Sequence, residues 1–342
     1  TSRNTRVKAR VKAEALREFI TVKDKIFVMG HQLTDVDSFG AAIGIYRAAN
    51  ALEKRAYIVI NEVSASLKPL YTAYENNPDY PERLFLNSAE ALELADESSM
   101  VVVVDTNRPG MTECEELLHV AKTIVVLDHH RQSSDNIDNA LLSYIEPYAS
   151  SACEMVSEVL QYIVDDIKIP NLEASSLYAG IMIDTNNFMN KTGVRTFEAA
   201  AFLRRSGADI TLVRKMFRDD MESYRAKAQI ISSAEVYHNK YAIARGENLT
   251  IESPTIIGAQ AANELLDINE VKASFVLTTY NGRIYVSARS IDEVNVQIIM
   301  ERLGGGGHMN ASGAQFDHTD MDEAVADLKQ VIDDVIEGGE IE

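Results

Sequence analysis

The sequence predicts an α/β protein: a parallel-sheet domain followed by a smaller α/β domain. Three observations carry that expectation. Met100–Val104 (MVVVV) and Thr123–Leu127 (TIVVL) are apolar or β-branched throughout, as strands buried on both faces of a parallel sheet are. Helical patterns separate these runs, the alternation that builds βαβ units. At 342 residues the chain exceeds one typical core, so two domains are the default.

The bulk properties narrow the function classes. Apolar residues make up 46% and charged residues 25%, ordinary for a globular protein, and no run approaches the ~20 apolar residues of a membrane span. The net charge of −19 argues against a long nucleic-acid substrate, whose binding leans on many Lys and Arg contacts to phosphate. It admits a small anionic ligand in a local basic pocket. Cys114 and Cys153 are the two cysteines, too few for a disulfide framework or a thiolate zinc site, and read as packing residues in a reducing compartment. The amino end has no apolar core of a signal peptide and starts at Thr1, which suggests a piece of a longer or processed chain.

Taken in order, residues 3–20 form a basic amphipathic helix with Val7, Val11, Ala15 and Phe19 on one face. Strand Lys25–Gly30 leads to a loop with His31, Asp35 and Asp37, and the small, apolar Phe39–Leu52 follows as a helix packed closely on a sheet. Ala56–Ile60 is a strand and Ser88–Ala95 a helix. Strands Met100–Val104 and Thr123–Leu127 end in DTNRPG and DHHRQ. Ser150–Val164 is a helix capped by serine, and Glu173–Phe188 a second apolar helix carrying Asp184. Helical patterns continue to about Val236. Beyond them come strands Tyr241–Arg245 and Ala273–Tyr280, a turn at Asn281-Gly282, strand Arg283–Arg289, helix Val294–Leu303, strand Ala311–Phe316 and a final helix Met321–Ile336.

Function in open α/β sheets collects at the carboxyl ends of strands. Four apolar segments each end in a metal-competent side chain: His31, Asp35 and Asp37; Asp105; the Asp128-His129-His130 cluster; and Asp184. His31 and Asp35 suit one ion, His129 and Asp184 with Asp37 a second, and Asp105 can bridge. Imidazole and carboxylate donors without thiolate favour Mn²⁺, with Mg²⁺ or Co²⁺ as substitutes. Paired divalent ions serve in-line displacement at phosphorus, so phosphoester hydrolysis is the expected reaction class. His130, beside Arg131, is expected to donate to a phosphoryl oxygen, with Asp128 orienting an imidazole. Arg108 is a candidate phosphate contact. Gly304–Gly307 with His308 reads as an anion-contacting turn, its glycines (Gly305, Gly306 and Gly307 among them) letting backbone approach phosphate, with Ser287 and Arg289 as companions.

With these residues in place the chain resembles the DHH phosphoesterase family. GHQLTDVDSFGAA (30–42), VVVVDTN (101–107), LDHH (127–130) and GIMIDTNNF (180–188) are similar to its four motifs, and GGGGHMNASGAQF (304–316) to the glycine-rich motif of its DHH-associated C-terminal domain. The resemblance implies a parallel-sheet DHH catalytic domain and a smaller α/β DHH-associated substrate-binding domain across a cleft. It implies a dimanganese centre on His31, Asp35, Asp37, Asp105, His129 and Asp184, Asp105 and His130 acting in catalysis, and substrate contacts from His130 and His308. Applied here it divides the chain into a joining helix (1–20), the catalytic domain (21–207), a helical linker (208–236) and the C-terminal domain (237–342). Within the family the chain is most similar to the cyclic-di-AMP phosphodiesterase branch, which hydrolyses its substrate to linear 5′-pApA with a two-metal-activated hydroxide. That branch implies a cytoplasmic domain making no membrane contact itself, within a parent protein anchored in the cell membrane. A second copy of the chain is the one macromolecular partner the reading admits. The rival readings are a short-oligonucleotide (nanoRNA) or pAp hydrolase of the same superfamily and a non-catalytic nucleotide sensor.

Overall fold

The computed structural model describes residues 2–291 and 293–342, with side chains from Thr5 onward at the amino end, so Thr1 of the expected joining helix lies outside it. The chain forms two compact units, one ending at Arg218 and the other beginning at Asp219.

The first unit is built on six parallel strands: β1 (Lys25–Met29), β2 (Arg55–Val59), β3 (Phe85–Leu86), β4 (Met100–Val104), β5 (Thr123–Asp128) and β6 (Leu142–Ile145), in the order β3-β2-β1-β4-β5-β6. The uninterrupted apolar runs follow from burial on both faces. Ile26, Val28, Val102, Val104, Val125 and Leu127 join one core, while Phe27, Met29, Val101, Val103, Ile124 and Val126 join another. Each such side chain contributes about 1.5–3 kcal/mol of burial. Because β1 is flanked by β2 on one side and β4 on the other, the winding reverses between β1 and β4. Strand ends at that switch point open a crevice.

Three helices converge beneath this crevice: Val36–Ala51, Ala152–Ile163 and Asn171–Asp184. Their close approach requires residues without side chains. A Cβ on Gly40 would lie 2.7 Å from the Ser176 carbonyl oxygen, and one on Gly180 would lie 2.3 Å from Cys153 Sγ.

Two expectations are corrected here. The amino-terminal helix, Ser2–Thr21, buries Ala9, Ala13, Leu16 and Ile20, whereas Val7 and Val11 are exposed. The spacing-four stripe of larger residues was the wrong face, because alanines permit close packing on helix Ala152–Ile163. The helix expected over 173–188 ends at Asp184, and Asn186, Asn187 and Phe188 follow with φ of 46°, 60° and 64°. Asn186 and Asn187 therefore point out of a left-handed turn rather than along a helix.

The second unit carries strands β7 (Glu235–Tyr237), β8 (Tyr241–Gly246), β9 (Ala273–Tyr280), β10 (Arg283–Ser290), β11 (Gly306–Gly307) and β12 (Ala311–Phe316), in the order β11-β12-β10-β9-β8-β7. Only β8 and β9 pair in parallel. Asn281 (φ 50°) and Gly282 (φ 73°) form the β9–β10 hairpin turn, the positive φ at both positions that an Asn-Gly pair serves. Helices Val296–Arg302 and Met321–Glu337 cover one face, helices Met221–Ser232 and Pro254–Leu265 the other. The helical stretch 208–236 is divided, with helix Ile210–Met216 in the first unit and Met221–Ser232 in the second. Among the described residues no helix is long and apolar enough to cross a membrane.

Candidate metal centre

The ends of β1, β4 and β5, which are neighbours in the sheet, deliver His31, Asp105 and His129 to one place. Asp35 caps helix Val36–Ala51, Asp37 sits in its first turn, and Asp184 ends helix Asn171–Asp184. Two groups of donor atoms result, each within 4.8 Å: His31, Asp35 and Asp105, and Asp37, His129 and Asp184. Asp105 lies between them, since its Oδ2 is 3.4 Å from His31 Nε2 and its Oδ1 is 3.0 Å from His129 Nε2. His31 Nε2 is also 3.4 Å from Asp35 Oδ2. His129 Nε2 is 3.6 Å from both Asp37 Oδ2 and Asp184 Oδ2.

This donor set fits divalent cations. The ring of His31 donates from Nδ1 to the Gln32 carbonyl oxygen at 2.9 Å, which turns the lone pair of neutral Nε2 toward two carboxylates. That arrangement is repulsive unless a proton or a cation lies between them. Titration reflects the same demand. Burial, then repulsion from Asp105 and Asp35, pushes the Asp184 carboxyl up to about 7. Burial and the charges of Asp184, Asp105 and Asp35 raise Asp37 well above the carboxylate range. Burial alone would lower His31, yet its hydrogen bonds to Asp105 and Asp35 raise it to about 11. Burial likewise opposes ionisation of Asp105, but hydrogen bonds from His129 and His31 hold it far below the usual carboxylate range. Without a cation, protons take the place of positive charge; a divalent ion relieves both the raised acids and the raised base.

Around the expected Asp37 and Asp128, several supporting contacts carried little signal in the sequence. Asp37 is fully buried and accepts the backbone N–H groups of Ala152 (2.9 Å) and Cys153 (2.8 Å), so a helix N-terminus faces its charge. Cys153 itself packs as a buried thiol, and so does Cys114. Asp128, also fully buried, holds the ring of His130: its Oδ1 accepts His130 Nδ1 at 2.7 Å and the His129 N–H at 2.9 Å, while its Oδ2 accepts Asn107 Nδ2 at 2.7 Å. A polar residue following a loop-borne Asp gives no pattern that singles out Asn107 from sequence. Arg108 is exposed on the loop after β4.

The second-unit candidates are placed by their own sheet. Ser287 and Arg289 share the β10 face opposite the buried Val286 and Ala288. The half-buried Arg289 guanidinium donates to the Ala288 carbonyl at 2.9 Å and forms no ion pair among the described residues. The glycine run has structural reasons of its own. A Cβ on Gly305 would lie 2.0 Å from the Gly313 carbonyl oxygen, and Gly307 has φ 141°. The Gly304 and Gly305 amides already donate to the Glu301 and Met300 carbonyls, and the His308 amide donates to Ala311. Gly306 and Gly307 pair with Gly313 and Ser312 as β11.

Residues 25–181 match the DHH family N-terminal domain and residues 249–337 the DHHA1 domain; the chain belongs to the DHH family. It is 42% identical over 340 residues (98% of this chain, 51% of the relative) to the cyclic-di-AMP phosphodiesterase GdpP of Geobacillus thermodenitrificans. It is 40% identical over 334 residues (97% and 50%) to the cyclic-di-AMP phosphodiesterase PdeA of Listeria monocytogenes. The chain thus spans about half the length of the curated relatives it matches. In fold it is similar to an exopolyphosphatase-related protein from Bacteroides fragilis, with a TM-score of 0.78 at 22% identity over 95% of this chain and 96% of that one.

Proposed function

We propose that this chain is a metal-dependent phosphodiesterase that hydrolyses cyclic-di-AMP to linear 5′-pApA. The observation that carries the proposal is the convergence of four carboxylates and two imidazoles, with Asp105 turning one oxygen to each imidazole. The identity to relatives named cyclic-di-AMP phosphodiesterases supports the choice of substrate.

In this reading His31, Asp35 and Asp105 hold one Mn²⁺ and Asp37, His129, Asp184 and Asp105 a second. Two such ions supply Lewis acidity and a nucleophile at neutral pH. The residues do the rest. Four carboxylates offset the charge of two divalent ions, so the pocket presents no net repulsion to a phosphodiester. His130, held through Nδ1 by Asp128, has Nε2 as its remaining donor and stabilises charge on phosphoryl oxygen. Burial would lower its pKa, but the Asp128 hydrogen bond and charge raise it, which favours the donating imidazolium. Arg108 adds a cation on the loop after β4. In the second unit Arg289, which forms no ion pair among the described residues, and His308 are the substrate contacts, with Ser287, Gly305, Gly306 and Gly307 on the neighbouring backbone. Because the Gly305 amide is engaged, its contribution is room for the chain to pass rather than a donor.

The test is a substrate panel with separated products: cyclic-di-AMP, cyclic-di-GMP, linear pApA and pAp, each with Mn²⁺. Cyclic-di-AMP should be consumed fastest, yielding a 5′-phosphate and a 3′-hydroxyl. Turnover confined to pApA or pAp would replace this reading with a short-oligonucleotide hydrolase, and no turnover of any substrate would leave a nucleotide sensor.

A further inference from the structure

Ser38 follows Asp37 in the first turn of helix Val36–Ala51 and is fully buried. It donates twice, to two different carboxylates. Its backbone N–H reaches Asp35 Oδ1 at 2.8 Å, and its Oγ reaches Asp105 Oδ2 at 2.8 Å. Both carboxylates also face His31 Nε2, at 3.4 Å each. Space for the serine is reserved at the end of β1, where a Cβ on Gly30 would lie 2.8 Å from both Ser38 Cβ and Oγ.

Asp105 needs such a partner. Its backbone has φ 63°, outside the regions most residues adopt, and a carboxylate's terminal torsion is broad, so the side chain does not orient itself. The Oδ1 side is fixed by His129, and the Oδ2 side by Ser38. We propose that Ser38 is a positioning residue of the metal centre: its hydroxyl fixes the Asp105 oxygen that faces His31, and so sets the affinity of the ion held by His31, Asp35 and Asp105. The other ion's remaining donors, Asp37, His129 and Asp184, do not touch the serine hydroxyl, and the Asp105 Oδ1 that faces them stays fixed by His129, so that ion keeps its affinity. The inference rests on the two-metal reading above, and Ser38 itself contacts no reacting atom.

The test is Ser38→Ala in the full chain, which keeps the N–H bond to Asp35 and removes one oxygen. Mn²⁺ titration by calorimetry should show one of two binding steps weakened about 10- to 100-fold, the usual cost of losing a partner of a ligand, with the other step unchanged. At two equivalents of Mn²⁺, the exchange-coupled electron paramagnetic resonance signal of the wild-type pair should give way to that of an isolated ion. Unchanged affinities, or equal weakening of both steps as in a general loss of structure, overturn the role of Ser38. A wild-type chain that binds no Mn²⁺ overturns the metal reading itself, and this inference with it.

Discussion

The two sheets bury apolar residues alike and treat charge in opposite ways. In the first unit Asp37 and Asp128 are fully buried, Asp105 is 3% exposed, and all lie at strand ends or the helix beside them. In the second unit the buried polar residues among those described are Ser274, Thr278, Ser290 and Ser312, none of them ionisable. An ionised carboxylate taken out of water costs several kcal/mol unless partners offset it. The first sheet offsets that cost with imidazoles, helix N–H groups and a place for cations. The second has no such cost to offset and uses glycines to bring backbones together. The difference teaches where to look: buried carboxylates gathered around imidazoles mark chemistry, whereas the buried Glu173 is matched by Arg47 in an ion pair and a conspicuous glycine run is first explained by packing.

Mutations should separate the two regions sharply. Asp105→Asn replaces one of the two oxygens shared between the clusters by an NH2 group and removes the charge, and should cost several kcal/mol of transition-state stabilisation, about 10³-fold or more in kcat at 1.36 kcal/mol per decade. Steady-state rates with cyclic-di-AMP check it, and a variant within tenfold of wild type would remove Asp105 from the centre.

Metal removal should be felt as stability in the first unit. Each ion bound at about a hundred times its dissociation constant adds about 2.7 kcal/mol, so chelation should lower Tm by several degrees and Mn²⁺ should restore it. The metal-free protein should also depend on pH in a defined direction. Asp184, raised from 3.8 to about 7, contributes stability that is complete below pH 3.8 and lost as pH rises to about 7. His31, raised from 6.5 to about 11, acts in the same sense over the range above. Chelated protein should therefore melt at a lower temperature near about pH 8 than near about pH 5.5, with saturating Mn²⁺ flattening the difference. Tm against pH, with and without Mn²⁺, is the measurement; a metal-free Tm that rises with pH would contradict it.

Histidines sharpen the contrast further. His129→Ala should lower bound Mn²⁺, whereas His308→Ala should leave metal content intact and raise KM about tenfold, the worth of one charge-assisted hydrogen bond. Equal metal loss in both would misplace His308. The smallest effect on the metal centre is expected from Gly305→Ala. It should destabilise the second unit by about 1–3 kcal/mol through overpacking against Gly313, while Mn²⁺ binding is unaltered.

How much of this was legible in the sequence varies by element for physical reasons. β1, β4 and β5 show plainly because both faces are buried and the apolar run stops abruptly at charge. β3 and β6, of two and four residues at the sheet edges, carry too little pattern to register. Helix Pro254–Leu265 was missed because small residues (GAQAA) blur its periodicity, and the amino-terminal helix was turned to the wrong face for the same reason. The six donor residues were readable as types at the ends of strands and helices. Their support was not, because Ser38, Asn107 and the amides of Ala152 and Cys153 act through geometry that no spacing rule encodes.

The most direct measurement is anomalous diffraction at the manganese edge from crystals of this chain soaked in Mn²⁺. The account predicts two peaks about 3.5–4 Å apart, one among His31, Asp35 and Asp105 and the other among Asp37, His129 and Asp184, with Asp105 reaching both. A single peak, or peaks away from these residues, would contradict it.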